Sequence, residues 1–280
     1  MRRIAAVVLV LCFTACGRAY AAPGLPYYLA LGDSLGRGTQ PLPNGTLVDT
    51  NQGYVDGVYA FYRLRHPQLQ LAKLGCSGES TTTMIVGGKC SYPLGNQLAQ
   101  AVEFLHTHRV LLVTITIGGD DVLGCITPGG VIPNCAEPGL AKVGQNLPSI
   151  LSELRAAAGP NVPIVATNYY DPILAAWVLL PGAQGQALAQ LSLGYTVALN
   201  LLIENLCSNA GIPVADVARA FHITDFANVP GFNVPLNVFL SLTTRGIVEA
   251  DSIDGKPLRR SPITNRLQKH LGMVLLGECG

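Results

Sequence analysis

The chain carries few charged side chains and almost no excess of either sign. Only 12% of its 280 residues are Asp, Glu, Lys or Arg, and the formal net charge is +1. Proteins that bind nucleic acids usually carry a basic patch or stripe, so this balance argues against a nucleic-acid partner. Hydrophobic residues make up 49% of the chain, a share that excludes an intrinsically disordered protein. The length favours one large folded domain over two.

Long hydrophobic runs are also missing. Two arginines precede an apolar run over residues 4–15 that is too short to span a bilayer, and Ala19-Tyr20-Ala21 offers the small residues of a cleavage site. We therefore predict a signal peptide over residues 1–21 and export of the mature chain to the periplasm, cell surface or medium. The alternative is a lipid-anchored form, because the residues ending at Cys16 resemble a lipoprotein cleavage box. No later run reaches membrane-spanning length without interruption, so no integral membrane segment is expected after cleavage.

Cysteine pairs of the Cys-x-x-Cys kind are absent, and no histidine lies at ligand spacing beside a cysteine. A metal site is therefore the weaker interpretation of the cysteines, and disulfides are favoured in an exported protein. Two local pairs would each close a short glycine-rich loop, namely Cys76 with Cys90 and Cys125 with Cys135. Cys207 and Cys279 remain outside these pairs.

Five short apolar runs alternate with stretches of helical periodicity. The predicted strands are residues 27–31, 69–74, 110–117, 162–167 and 212–217, and the predicted helices are residues 54–65, 98–108, 141–158, 183–209 and 264–276. The run at 110–117 is the richest in β-branched residues and is predicted to be the central strand. This alternation predicts an α/β fold with a parallel, doubly wound sheet and helices on both faces.

The first predicted strand ends abruptly at Gly32-Asp33-Ser34-Leu35. Gly32 allows the backbone to bend where a side chain would clash, and the turn places the Ser34 hydroxyl at the carboxyl end of the strand. Open α/β sheets place their ligand crevice at this edge. The alternative interpretation is that Asp33 and Ser34 form only a helix N-cap and turn.

Two further strand ends carry similar glycine junctions. Gly75 follows the second predicted strand, and Gly118-Gly119-Asp120-Asp121 follows the third. In this order, the three junctions resemble the first three sequence blocks of the GDSL (SGNH) hydrolases, a superfamily of esterases and lipases. The resemblance implies a three-layer α/β/α sandwich with a five-stranded, flavodoxin-like sheet, built by residues 22–242. It also implies that Ser34 is the nucleophile and that the Gly75 and Ser34 N–H groups bind the oxyanion.

Asp120 is the first departure from the family pattern, which has asparagine at this position. An asparagine amide donates a hydrogen bond to the tetrahedral oxyanion, and losing one such donor costs about 2.7–4 kcal/mol of transition-state stabilisation. An ionised aspartate accepts only, and it repels the developing charge. Only protonated Asp120 could serve, which requires a pKa far above its usual value of about 3.9. We therefore predict low activity at neutral pH.

The second departure is the absence of an Asp-x-x-His sequence, in which the family places its general base. His66, His106 and His108 are predicted at helix ends on the opposite edge of the sheet from Ser34. His222 follows the fifth predicted strand, and His270 lies near the C-terminus, so these two are the remaining weak candidates. The base and its acidic partner are left unassigned.

Residues 243–280 form an atypical basic tail that loses the family pattern. Such a tail is what a shifted reading frame near the end of a gene would produce, and divergence of a genuine tail is the competing account. In the first case the natural base is absent from this polypeptide, Cys279 is accidental and Cys207 is left unpaired.

The function implied by the resemblance is that of an exported hydrolase, acting on carboxylic esters of lipids or acylated carbohydrates through an acyl-Ser34 intermediate. No metal, nucleotide or flavin cofactor is implied, and we expect a monomer. The rival hypothesis is a non-catalytic binding protein that keeps the crevice of the scaffold without its base.

Overall fold

The computed structural model describes residues 24–41, 46–127, 129–132, 134–180, 182–229, 234–244, 252–253 and 256–257. Five predictions lie outside these residues: the signal peptide 1–21, the anchor at Cys16, the helix at 264–276, His270 and Cys279.

The strands, in chain order, are β1 Pro26–Gly32, β2 Thr39–Pro41, β3 Leu47–Asp49, β4 Gln70–Lys73, β5 Arg109–Thr116, β6 Ile126–Thr127, β7 Gly130–Val131, β8 Ile164–Thr167, β9 Val214–Ala215, β10 Ser252–Ile253 and β11 Lys256–Pro257. Five of them form one parallel sheet in the order β4-β1-β5-β8-β9, which confirms the predicted doubly wound topology and the central place of β5. The remaining strands pair as short antiparallel hairpins.

The α-helices are α1 Ser34–Arg37, α2 Tyr54–Arg63, α3 Thr81–Val86, α4 Gln97–Thr107, α5 Gly119–Val122, α6 Ala136–Ala158, α7 Ala176–Leu179, α8 Gly182–Asn209, α9 Val217–Ala220 and α10 Leu236–Thr244. The four described helices with a predicted counterpart, α2, α4, α6 and α8, match it to within a few residues. The polar stretch between α1 and α2 carries no predicted strand, but the hairpin β2–β3 lies within it.

Alternate residues of β1 pack against helices on opposite faces of the sheet. Leu29 and Leu31 belong to the large core that α4, α6 and α8 cover, whereas Tyr28 and Ala30 face the smaller core that includes Val55 of α2. The sheet is therefore the middle layer of an α/β/α sandwich, as predicted.

Helix α8 departs from the expectation that no later segment could span a membrane. It is 28 residues long, and its length and composition alone would allow it to cross a bilayer. Here it packs against α6, and its Leu199 and Ile203 are buried in the large core. This packing accounts for part of the apolar surface of α8, while Leu191 and Leu201 on the same helix are exposed.

Both predicted disulfides are present. Cys76 is bonded to Cys90, and Cys125 is bonded to Cys135. Cys207 is a buried free thiol on the core-facing side of α8. Burial raises its pKa to about 11.

The register of the sheet brings the ends of its strands to one level. Gly32 at the end of β1 pairs with Thr116 at the end of β5, and Ala30 pairs with Lys73 at the end of β4. The loops that follow these strands therefore begin side by side. All three of the residues that the sequence singled out, Ser34, Gly75 and Asp120, lie in those loops.

Candidate active site

The turn that carries Ser34 is fixed by its two preceding residues. Gly32 has φ 110°, and a Cβ at this position would lie only 1.8 Å from the carbonyl oxygen of Thr116, so no other residue fits. The Asp33 N–H donates to that same oxygen at 2.9 Å. The Asp33 carboxylate caps α1 by accepting from the Leu35 N–H at 2.9 Å. Ser34, the first residue of α1, is partly exposed. The two interpretations of this turn are therefore compatible, because Asp33 is the helix N-cap while Ser34 is accessible at the edge of the sheet.

Gly75 lies directly against the serine turn. A Cβ here would be 2.8 Å from the backbone nitrogen of Arg37 and 3.0 Å from the carbonyl oxygen of Asp33. The next N–H, that of Cys76, donates to the Gly32 carbonyl at 2.9 Å. The absence of a side chain at Gly75 is what allows the loop after β4 to approach the turn after β1.

The loop after β5 presents its two aspartates to different surroundings. Asp121 is buried and accepts from both the N–H and the hydroxyl of Thr81, at 2.7 and 2.8 Å. Asp120 is exposed, and none of the described side chains hydrogen-bonds to its carboxyl. Asp121 therefore anchors the loop to α3, while Asp120 is left free at the edge of the sheet.

The electrostatics of this edge favour protonated carboxyls. Partial desolvation raises the pKa of Asp120 to about 6, against the opposing effect of the Lys89 ammonium and with support from the charges of Asp121 and Glu79. Burial raises the pKa of Asp33 to about 7, and the negative charge of Asp120 adds to this effect. The pKa of Asp120 is therefore shifted upwards, in the direction that a donating carboxyl requires. Half of the Asp120 carboxyls are ionised near pH 6.

Tyr169, which follows β8, connects the first and third loops. Its hydroxyl donates to Asp33 Oδ2 at 2.5 Å. The ring lies where a side chain at Gly119 would be, since a Cβ there would be 2.6 Å from Tyr169 Cε1. Tyr169 was not singled out by the sequence analysis as a site residue.

A second set of buried hydrogen bonds, made by Gln97, supports the turn that carries Ser34. The Gln97 carboxamide accepts from the Gly32 N–H at 2.6 Å and donates to the Gly32 carbonyl at 3.0 Å. It also donates to Glu79 Oε2 at 3.1 Å and to the Tyr92 hydroxyl at 3.0 Å. Glu79 is buried, and its other oxygen has no hydrogen-bond partner among the described groups. The end of β1 is thus held by Gln97 of α4, which in turn is bonded to Glu79 and Tyr92.

None of the histidines in the described part of the chain contacts Ser34. His66 stacks on Tyr62 and His108 stacks on Phe104, both away from the loops after β1, β4 and β5. His222 is exposed, in a left-handed conformation with φ 47° that a turn between α9 and the following segment imposes. The structure therefore brings Ser34, Gly75 and Asp120 to one edge, and no histidine among the described residues lies beside them.

Within the described ranges, no group of three or more His, Cys, Asp and Glu side chains is arranged to hold a metal ion. A cleft of about 430 Å³ opens beside α1, and it is lined by Arg37, Asp49, Thr50, Asn51, Leu71 and Lys73. Its two cations are already paired, because Arg37 Nε lies 2.7 Å from Asp49 Oδ2 and Lys73 Nζ lies 2.7 Å from Asp56 Oδ1.

Residues 30–233 match the sequence model of the GDSL-like lipase/acylhydrolase family, well over half of the chain. The chain belongs to this family. Membership confirms the resemblance drawn from the three glycine junctions and places the chain in a family of lipases and acylhydrolases. Among curated proteins, none matches the chain.

Solved structures of other ester hydrolases are similar to this GDSL-family chain at low identity. A phospholipase A1 from Streptomyces albidoflavus is 20% identical over 70% of this chain and 81% of that chain, with a TM-score of 0.43. An extracellular lipase from Streptomyces rimosus is 20% identical over 70% and 82%, with a TM-score of 0.45. A carbohydrate acetylesterase from Sinorhizobium meliloti is 15% identical over 80% and 99%, also at 0.45. We draw no conclusion on substrate from these similarities.

Proposed function

We propose that this GDSL-family chain is an exported serine hydrolase that cleaves carboxylic esters through an acyl-Ser34 intermediate. The observation that carries the proposal is the convergence of three loops at one edge of the sheet. Gly75 lies against the turn of Ser34, and the charge of Asp120 acts on the neighbouring Asp33.

In the proposed reaction, the Ser34 oxygen attacks the ester carbonyl carbon and loses its proton to a base. The carbonyl oxygen becomes an oxyanion, which accepts hydrogen bonds from the N–H groups of Ser34 and Gly75 and from the protonated form of Asp120. Loss of the alcohol leaves the acyl-serine, and water then releases the acid. The base remains unassigned, so we expect slow turnover from this polypeptide.

As the substrate class we propose carboxylic esters of lipids or acylated carbohydrates, on the basis of the family match. The polar cleft beside α1 carries no argument about the substrate, because none of Ser34, Gly75 and Asp120 lines it. The two disulfides support export, since bonds of this kind persist in oxidising compartments.

A fluorophosphonate probe tests the proposal, because it labels only an activated serine. We expect covalent labelling of the full chain at Ser34, identified by peptide mass spectrometry, and none in Ser34→Ala. Ser77→Ala is a matched control, since Ser77 lies in the adjoining loop and should leave labelling unchanged. Failure of well-folded protein to be labelled would reject the hydrolase proposal.

The second candidate is a non-catalytic binding protein on the same scaffold. It is favoured by one observation: none of the described histidines contacts Ser34, and the sequence has no Asp-x-x-His. In this case an ester or its hydrolysed acid would bind at the crevice without turnover. Unlabelled Ser34 together with saturable binding of an acylated sugar, measured by calorimetry, would support it.

A further inference from the structure

Tyr169 is a buried side chain that contacts two of the three loops of the candidate site. It is 4% exposed, and the Asp33 carboxyl that it reaches is 2% exposed. Its hydroxyl donates to Asp33 Oδ2, and its ring packs directly against Gly119. Asp33 directly precedes Ser34, and Gly119 directly precedes Asp120.

The backbone of Tyr169 is held by two hydrogen bonds to a side chain of α8. The Asn200 carboxamide accepts from the Tyr169 N–H at 2.9 Å and donates to the Tyr169 carbonyl at 2.8 Å. Both residues are buried, so water does not compete for these two hydrogen bonds. The phenol ring is therefore held at a fixed place, and it fills the space left by the missing side chain of Gly119.

We propose that Tyr169 is a positioning residue, which fixes the Ser34 turn relative to the Gly119–Asp120 turn because its hydroxyl binds Asp33 while its ring packs against Gly119 to form a bridge between the two turns. Tyr169 is buried behind the loops, so it would act through Asp33 and Gly119 without touching the substrate. Its catalytic consequence rests on the proposed function, whereas the bridge itself does not. This bridge would set the distance between the nucleophile and the third oxyanion donor.

The bridge has an electrostatic signature at Asp33. Burial and the charge of Asp120 both raise the pKa of Asp33, and the bond from the Tyr169 hydroxyl opposes them because it stabilises the ionised form. Other groups that act on this pair of carboxyls are Tyr54 on α2, Lys89, Asp121 and Glu79. All of them stay in place when only the Tyr169 hydroxyl is removed.

Tyr169→Phe tests the proposal, with Tyr28→Phe as the matched control. Tyr28 is also buried on the sheet, and its hydroxyl exchanges a 2.8 Å hydrogen bond with Thr114, remote from Asp33. Carboxyl NMR of protein labelled at aspartate should show the titration of Asp33 rising from about 7 by about one unit or more in Tyr169→Phe, a tenfold change in equilibrium. Tyr28→Phe should leave it unchanged. An unmoved titration, or an equal shift in both variants, would overturn the proposal.

The kinetic test measures hydrolysis of a short-chain ester by the parent protein and by the variants. We expect kcat to fall about 10- to 100-fold in Tyr169→Phe with little change in KM, the loss typical of a hydrogen bond to a charged group. A change confined to KM would overturn the positioning role. If the unaltered protein hydrolyses no ester, the proposed function fails, and the titration still decides whether the bridge exists.

Asp33→Asn supplies a second test, measured alone and combined with Tyr169→Phe. Its carboxamide oxygen still accepts from the Tyr169 hydroxyl, but the hydrogen bond is weaker because the charge is removed. If Tyr169 acts through Asp33, adding Tyr169→Phe to Asp33→Asn should lower kcat by less than Tyr169→Phe does alone. Additive losses would mean that Tyr169 acts elsewhere, against the proposal.

Discussion

Asp121 accepts two hydrogen bonds from Thr81, one from its backbone N–H at 2.7 Å and one from its hydroxyl at 2.8 Å. The two residues are 40 positions apart, so the pair joins the loop after β5 to the start of α3. Asn146 of α6 extends the contact by donating to the Thr81 hydroxyl at 3.1 Å. Of the two adjacent aspartates, Asp121 is therefore structural, and Asp120 is the one available for chemistry.

Asp121→Ala is expected to lower the free energy of unfolding by about 2–4 kcal/mol, because it leaves the buried Thr81 N–H without a partner. Thr81→Val removes the hydroxyl bond alone and should cost less. Asp120→Ala should leave the free energy unchanged or raise it, since no described side chain hydrogen-bonds to this carboxyl. Urea unfolding of the three variants measures these differences. A larger loss in Asp120→Ala than in Asp121→Ala would contradict the assignment.

Asp120→Asn should raise ester hydrolysis at neutral pH. The pKa of Asp120 is raised to about 6, so its protonated, donating form is lost as the pH rises through that value. An amide donates at every pH, whereas only about a tenth of the Asp120 carboxyl is protonated at pH 7. The rate of Asp120→Asn should therefore exceed that of the parent about tenfold at pH 7, and the two rates should converge at acid pH. Rates of kcat/KM across a pH series measure this.

Glu103→Gln is the matched control for this experiment, because it makes the same chemical change on the exposed surface of α4. It should leave the pH profile unaltered. Equal rates for the parent and Asp120→Asn at all pH values would remove Asp120 from the oxyanion site.

The sheet could be predicted because each of its strands is a local apolar run followed by glycine or a polar turn. The ends of the strands were predicted less accurately. The last strand of the sheet, β9, is only Val214–Ala215, whereas the predicted strand was 212–217. The hairpin β2–β3 was missed because its residues are rich in polar and turn-forming types, and backbone pairing alone makes them strands.

The candidate site was predictable to the extent that it follows the strand-end rule, which located Ser34, Gly75 and Asp120. Tyr169 was missed because its bond to Asp33 spans 136 positions, a distance at which no periodicity operates. A signal did exist, since Tyr169 follows a predicted strand whose carboxyl end lies at the same edge. Gln97, at the start of α4, carried no such signal, because its contact with Gly32 depends on the tertiary fold.

Stability should fall as the pH rises from about 4 to about 7. In the folded protein, burial is the main cause that raises the pKa of Asp33 to about 7 and of Asp171 to about 6, from 3.8. The pKa of Asp120 is raised in the same sense, but its side chain is exposed, which weakens its effect on stability. The folded state then binds more protons than the unfolded state across this window, so the free energy of unfolding decreases with pH. Asp49 and Glu137 have lowered pKa values and act in the opposite sense, but both are exposed, which weakens their effect.

Urea midpoints at pH 4.5 and 7.5 measure this trend, and we expect the higher midpoint at pH 4.5. Asp171→Asn should reduce the difference, because Asp171 is fully buried against Ser192 and α8. A midpoint that rises with pH would show that carboxylates with lowered pKa values dominate instead.

Gly75→Ala tests whether the loop after β4 must touch the serine turn. The new methyl group would lie 2.8 Å from the backbone nitrogen of Arg37, closer than packed atoms tolerate, so the turn or the loop must shift. We expect a loss of about 1–3 kcal/mol in stability and a clear fall in the rate at which fluorophosphonate labels Ser34. Gly57→Ala is the matched control: Gly57 lies in α2 with open space around it, and the change should raise stability by about 1 kcal/mol through helix propensity. Because a methyl group is added in both cases, only displacement of the Ser34 turn can separate their labelling rates, and equal rates would mean that Gly75 has no part in the site.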